Sequence, residues 1–269
     1  MRPPGAAICR LRPHEASRMK HVGLYRLLIV LVAIGVLELM CASGRIDRLT
    51  MQPPHEIATD LVRLLASGKM NGAIRQTLGN AAIAFVAAML VGVAFASIIH
   101  RLPMVRETLD VVFSTYYALP TLAFYPLFIV LFGLGPLPQI IIGFMQGVIV
   151  VLVNTLDGLD RVPRVLKKLA AVNRMGAFET AWMITLPSAA PYVLTGAKLA
   201  IAYCIIGVIA AEFLRSQTGI GYEISFAYNN FDNATMYPLI VLLVTFSIAL
   251  NSLLFRWERR VLRQRGLRP

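Results

Sequence analysis

Residue types that carry chemistry are sparse and dispersed along this 269-residue chain. His14, His21, His55 and His100 stand far apart and outside the most apolar stretches, so they suggest no metal set and no acid–base centre. Cys9, Cys41 and Cys204 have the spacing of neither a zinc site nor a disulfide framework. The last two fall in or beside apolar runs, where a free Cys behaves as a small hydrophobe. A phosphate-cradling Gly-x-x-x-x-Gly-Lys-Ser/Thr loop is absent, since Gly68-Lys69 lacks the upstream Gly and the following hydroxyl. The expectation is therefore no catalytic residue, no metal and no cofactor on this chain. What remains are ionisable and polar residues in apolar surroundings. Glu212 is the clearest, followed by Lys198 and Glu38. Such residues are costly in a bilayer and are functional candidates by default. Glu212 is a candidate for a gate or a solute path, with helix-end packing as the competing reading. Tyr116, Tyr117, Gln146 and Asn154 either line the same path or bond between helices.

The elements that would hold these residues are membrane spans. The chain is 57% hydrophobic and 15% charged, against about 25% charged for a soluble domain. From Val111 to Leu156 there is no Asp, Glu, Lys, Arg or His. A soluble helix could not stay apolar that long, because one of its faces would meet water. Each bilayer crossing takes about 20 residues, and helices satisfy their own backbone in lipid. The reading is an all-α integral membrane protein, a polytopic bundle of about six spans near 22–42, 76–99, 111–132, 138–156, 191–214 and 236–255. The third and fourth are divided at Gly133-Leu134-Gly135-Pro136-Leu137-Pro138, a density of Gly and Pro that marks a turn. Gly143 and Gly147 form a Gly-x-x-x-Gly pair, a sign of close helix packing.

A net charge of +12 would suggest nucleic acid as partner in a soluble protein. No motif of that kind is present, and the charge is distributed as topology. Eighteen of the 26 Lys and Arg residues fall on one side if both termini are cytoplasmic. Basic tails over 1–21 and 257–269 then flank a transmembrane domain over 22–256. The basic N-terminus and the run Leu27–Leu37 resemble a secretory signal, but Glu38-Leu39-Met40 is a poor cleavage site, so an uncleaved anchor is the better reading.

The loop Asp157–Ala190 carries most information. Plotted at 100° per residue, Val162, Val165, Leu166, Leu169 and Ala170 fall on one side of a helix, and Arg161, Arg164, Lys167, Lys168 and Arg174 on the other. The helix either lies along headgroups or presents a surface to a partner protein. Gly176-Ala177 and Leu186-Pro187 follow, so the loop reads as two short helices joined at Gly176. This order resembles the inner-membrane permeases of binding-protein-dependent ABC importers, whose loop motif is Glu-Ala-Ala, three residues, Gly, then Ile-x-Leu-Pro. The matching positions are Ala170, Ala171, Val172, Gly176, Ile184, Leu186 and Pro187. Ala118-Leu119-Pro120, Pro126-Leu127-Phe128, Phe132 to Gly135, Pro191-Tyr192 with Gly196, Ala211-Glu212-Phe213 and Gly219 to Tyr222 resemble the nitrate, sulfonate and taurine branch. Two departures are plain: Ala170 stands where the motif has Glu, and the segment from Gly176 to Pro187 is about two residues short.

The resemblance implies that the chain does no chemistry itself. It implies two permease copies, a separate ATPase that binds ATP and Mg and docks at Ala170, Ala171, Gly176, Ala177, Leu186 and Pro187, and a periplasmic or lipid-anchored binding protein. It further implies the bacterial inner membrane and a small anionic or heterocyclic solute, among nitrate, sulfonates, taurine and vitamin precursors. The alternative is a stand-alone secondary transporter or channel, which usually shows paired repeats; no repeat is evident here. A membrane-embedded enzyme would need clustered ionisable residues, and a scaffold subunit without transport would suit the missing motif Glu.

Overall fold

The computed structural model describes residues 13–47, 50–116 and 118–264. Tyr117 lies outside them, as do the ends of both basic tails. Among the described residues every regular element is helical. The chain divides into two compact units, Met1–Asp60 and Leu61–Pro269.

In the first unit α1 runs over Pro13–Ala42. Its side chains from Leu28 to Val36 are exposed and apolar, as a lipid-facing helix requires. Glu38 is met by His55, whose Nδ1 lies 2.6 Å from Oε1. The amphipathic helix α2 (Pro54–Ala66) begins in this unit.

The second unit is built on α3 (Asn71–Ile99), α6 (Pro136–Asp160) and α9 (Leu186–Arg215). These three, with α11 (Asn233–Gln264), contain the stretches long and apolar enough to cross a membrane. They pack through small residues. A Cβ on Gly143 would lie 2.8 Å from Val208 Cγ2, one on Gly92 2.8 Å from Val151 Cβ, and one on Gly196 2.8 Å from Asn154 Cβ. The Gly143–Gly147 pair therefore brings α6 against α9 within one chain, with Gly147 seated on Cys204. With little hydrophobic drive between helices in lipid, such close approach supplies the attraction through dispersion. At one end Ala96, Ile99, Leu156, Leu159 and Ala189 close the core. Near the other, α10 (Ile220–Asn229) and α11 pack Ile220, Ile224 and Leu239 with Ile74 and Leu243.

The span expected over 111–132 is not continuous. α4 (Pro103–Tyr116) stops, and after Pro120 a short 3₁₀ turn over Thr121–Phe124 leads into α5 (Tyr125–Phe132). Pro120 has no N–H to donate to the preceding turn and its ring disfavours helical Leu119, which is why the helix breaks there. α5 has 8 residues, about 12 Å at 1.5 Å per residue, so it cannot cross a bilayer alone. With the 3₁₀ turn before it, α5 forms the apolar stretch Thr121–Phe132, still short of a full crossing. The turn expected between the third and fourth spans is present, with Gly133 at φ 78° and Pro136 opening α6. The helix that contains the fifth expected span, 191–214, starts at Leu186 and has Pro191 inside it.

Candidate functional site

The loop folds as α7 (Arg164–Val172), a turn, then α8 (Ala177–Thr180) and a π-helical stretch Ala181–Thr185 that runs straight into α9. Two helices separated near Gly176 is the arrangement the periodicity suggests. The turn itself is made differently. Arg174, at φ 52°, takes the left-handed position, and Gly176 does not. Gly176 instead donates its N–H to Glu179 Oε2 at 3.0 Å and accepts from Thr180 Oγ1 at 2.9 Å, which caps α8.

The apolar side of α7 is split. Ala170, on α7, and Val162, in the bend just before it, are buried against the chain. Val165 is 75% exposed, Leu169 52% and Val172 81%. Trp182 and Met183, on the π-helical stretch, are exposed as well. One edge thus holds the helix on the bundle and the other offers an aliphatic strip. Ala170 sits on the held edge, where a Glu would have to be buried; Ala171 is exposed. Pro187 lies in the first turn of α9, after Leu186, which packs on the Leu156–Leu159 core. Beneath the loop, His100 Nδ1 approaches Asp160 Oδ1 at 2.9 Å and Arg106 reaches Asp160 at 3.4 Å, tying the ends of α3, α4 and α6 together.

The expected path residues separate into three places. Tyr116 and Gln146 come together at the break between α4 and α5. They share a cleft of about 140 Å³ with Leu119, Thr121, Ile149 and Tyr203. Tyr116 donates its hydroxyl to the Met145 carbonyl at 2.8 Å, and Gln146 Nε2 donates to Thr121 Oγ1 at 3.2 Å. Asn154 is elsewhere, donating to the Val150 carbonyl of its own helix and packed on Gly196.

Glu212 is fully buried at the end of the bundle opposite the loop. It accepts from Thr77 Oγ1 at 2.8 Å and from the Gly221 N–H at 3.1 Å. Thr77 Oγ1 in turn accepts the Ile220 N–H at 2.9 Å. The first amides of α10 are thereby satisfied by two side chains from other helices. Gly219, at φ 106°, lies so close that a Cβ there would overlap the Glu212 carboxyl group. Beside it Asn80 Nδ2 donates to Gln139 Oε1 at 2.8 Å, and Gln139 Nε2 to Ser216 Oγ at 2.7 Å. Thr77, Asn80 and Gln139 are not among the residues the sequence singles out. The available signal is the three-residue spacing of Thr77 and Asn80, one face of α3.

Lys198 does not simply extend to the interface. Its Nζ lies 2.7 Å from Glu258 Oε2, and Thr195 Oγ1 donates to Glu258 Oε1 at 3.0 Å. This joins α9 to the end of α11, beyond the expected span. Glu258 is 8% exposed, so removing one partner leaves a buried charge. Lys198→Met should cost about 3 kcal/mol or more, and Lys198→Met with Glu258→Leu should recover most of it. Unfolding midpoints in detergent measure both. Among the described residues no group of three or more His, Cys, Asp or Glu could hold a metal ion.

Residues 88–265 match the family described as "Binding-protein-dependent transport system inner membrane component". The chain is 26% identical over 228 residues to the nitrate import permease protein NrtB of Leptolyngbya laminosa, covering 82% of this chain and 81% of that one. It is 23% identical over 252 residues to the putative aliphatic sulfonates transport permease protein SsuC of Bacillus subtilis strain 168, covering 94% and 91%. Among solved structures, the crystal structure of an amino acid ABC transporter with histidines superposes with a TM-score of 0.58 at 12% identity, over 74% of this chain and 97% of that chain. That likeness concerns the fold.

Proposed function

The chain belongs to the binding-protein-dependent transport system inner membrane components, in the branch of the nitrate and sulfonate permeases, and on that premise we propose that it forms the solute path of an ATP-driven importer of a small anion. It is a multi-pass inner-membrane permease subunit, which is not an enzyme. ATP and Mg bind a separate ATPase, a binding protein delivers the solute on the opposite side, and two permease copies pair within the lipid. Both termini face the cytoplasm, with the Asp157–Ala190 loop. Nitrate and sulfonates, the solutes named for the relatives, fit this reading, since taurine and aliphatic sulfonates share one oxyanion headgroup; a heterocyclic solute has less support.

The observation that carries the proposal is the aliphatic strip Val165, Leu169 and Val172 with Trp182 and Met183. It stands on a helix anchored at Ala170 and, just before its start, at Val162. A strip so placed fills a groove on a partner and moves the bundle through α9, which continues from the loop without a break. Ala170 and Ala171, Gly176 and Ala177, and Leu186 and Pro187 are the positions through which ATPase motion would pass. Replacing residues 164–178 by a flexible linker should abolish co-purification of the ATPase while the permease still reaches the membrane. Survival of co-purification would overturn the docking assignment. Transport by the chain without any ATPase would make it a stand-alone carrier.

A further inference from the structure

At the end of the bundle opposite the loop, two connections face each other. One is the turn between α5 and α6, the other the link between α9 and α10. Between them is a hollow of about 220 Å³ lined by Gly135, Gln139, Arg215, Ser216, Gln217 and Thr218, among others. At about 30 Å³ per water it has room for a small oxyanion and several waters.

Its walls are held in place. Gln139 is 2% exposed and forms the floor. Its Oε1 is taken by Asn80, and its amide donates to Ser216 and meets the Tyr125 hydroxyl, so its polar atoms are engaged within the protein. Ser216 Oγ donates to the Thr218 carbonyl at 2.8 Å and accepts the Thr218 N–H at 3.2 Å, which fixes the link. Arg215 is pinned through its backbone, its carbonyl accepting the hydroxyl of buried Tyr125 at 2.6 Å. Its guanidinium is exposed and has no ion-pair partner among the described residues. Among the described residues no acidic side chain lines the hollow, and nearby Glu212 is turned to Thr77 and Gly221.

We infer that this hollow is an entry site for a singly charged oxyanion, with Arg215 gripping two of its oxygens above a floor formed by Gln139. An arginine fork matches planar nitrate and the oxygen face of a sulfonate, and a lone ammonium does so less well. The site holds the anion on its way from the binding protein into the bundle, so this inference rests on the import reading above. It requires Arg215 for capture of charge, and it predicts weak, exchangeable binding, since the rim is open to water.

The test uses the assembled permease–ATPase complex in detergent and the same complex in vesicles with its binding protein. Nitrate and methanesulfonate are titrated onto the complex by calorimetry at constant ionic strength, without binding protein. The wild type should saturate, Arg215→Gln should need at least tenfold more of either anion, and Arg215→Lys about threefold more. In vesicles Arg215→Gln should lower maximal uptake of the anion at least tenfold, with the half-saturating concentration of loaded binding protein changed less than twofold. Equal titrations for wild type and Arg215→Gln would overturn the site. Should Arg215→Gln fail to assemble, Arg215→Lys decides alone, and unchanged binding in it overturns the bidentate grip. Arg215-dependent binding without any ATP-driven uptake by the wild type would leave the site standing and remove the import reading.

Discussion

Gly207→Val should leave almost no folded permease, the largest loss expected of any single substitution in the bundle. A Cβ at Gly207 would lie 2.9 Å from Gly143 Cα, 3.2 Å from Gly143 N and 3.2 Å from the Ile142 carbonyl. All three are backbone atoms, so no rotamer change relieves the overlap. α6 and α9 would have to move apart. Their seam also includes Gly143 on Val208, Gly158 on Tyr192 and Gly196 on Asn154, and each of these contacts would open. A gap of 0.5–1 Å forfeits a quarter to a half of the dispersion energy of a contact. Overpacking of this kind costs about 3 kcal/mol or more. Gly147→Ala should be milder, because its Cβ meets the Cys204 side chain. Gly79→Ala, on α3 with nothing within 4 Å of its Cβ, should be neutral or slightly stabilising by helix propensity. The fraction of monodisperse protein after extraction, with a melting midpoint for each variant, orders the three. A Gly207→Val permease that melts like the wild type would refute the seam.

This seam shows what could be read in the sequence. The uncharged run and the alternating basic loops specify spans because lipid penalises charge regardless of context. Gly133 to Pro138 specifies a turn because positive φ and missing N–H groups act locally. The Gly143–Gly147 spacing announced close packing but left its partner open, because a glycine records only that something approaches. The break after Tyr116 was harder to see, since Pro120 sits in an apolar stretch where hydropathy does not change. Helical periodicity over 161–174 gathered Val162, Val165, Leu169 and Ala170 on one side, yet it could not divide that side. Which edge is covered depends on the neighbouring helices. The same holds for Glu212. Its burial is legible as an acid between Ala211 and Phe213, but its partners lie 135 residues upstream at Thr77 and 9 downstream at Gly221.

Glu212→Ala should destabilise the bundle and release the start of α10, and Glu212→Gln should do neither. The carboxylate accepts from Thr77 and from the Gly221 N–H in a site that water does not reach. Alanine leaves both donors without an acceptor, at about 1–3 kcal/mol for each buried group. It also leaves a cavity against Gly219, whose backbone at φ 106° is shaped to the acid. Glutamine keeps a carbonyl oxygen of nearly the same shape for the same two donors. Hydrogen exchange should therefore speed up at Ile220 to Glu223 in Glu212→Ala and stay slow in Glu212→Gln. Thr77→Val should loosen the same amides, since it removes the acceptor of the Ile220 N–H. Combined with Glu212→Ala, its effect should be less than additive, because the two residues serve one cap. Transport separates this helix-end role from a role in the path. A cap needs an acceptor but not a charge, so Glu212→Gln should import solute within about twofold of wild type. A well-folded Glu212→Gln protein, with slow exchange in α10 and no uptake, would show that the charge itself is used, and Glu212 would return to the solute path.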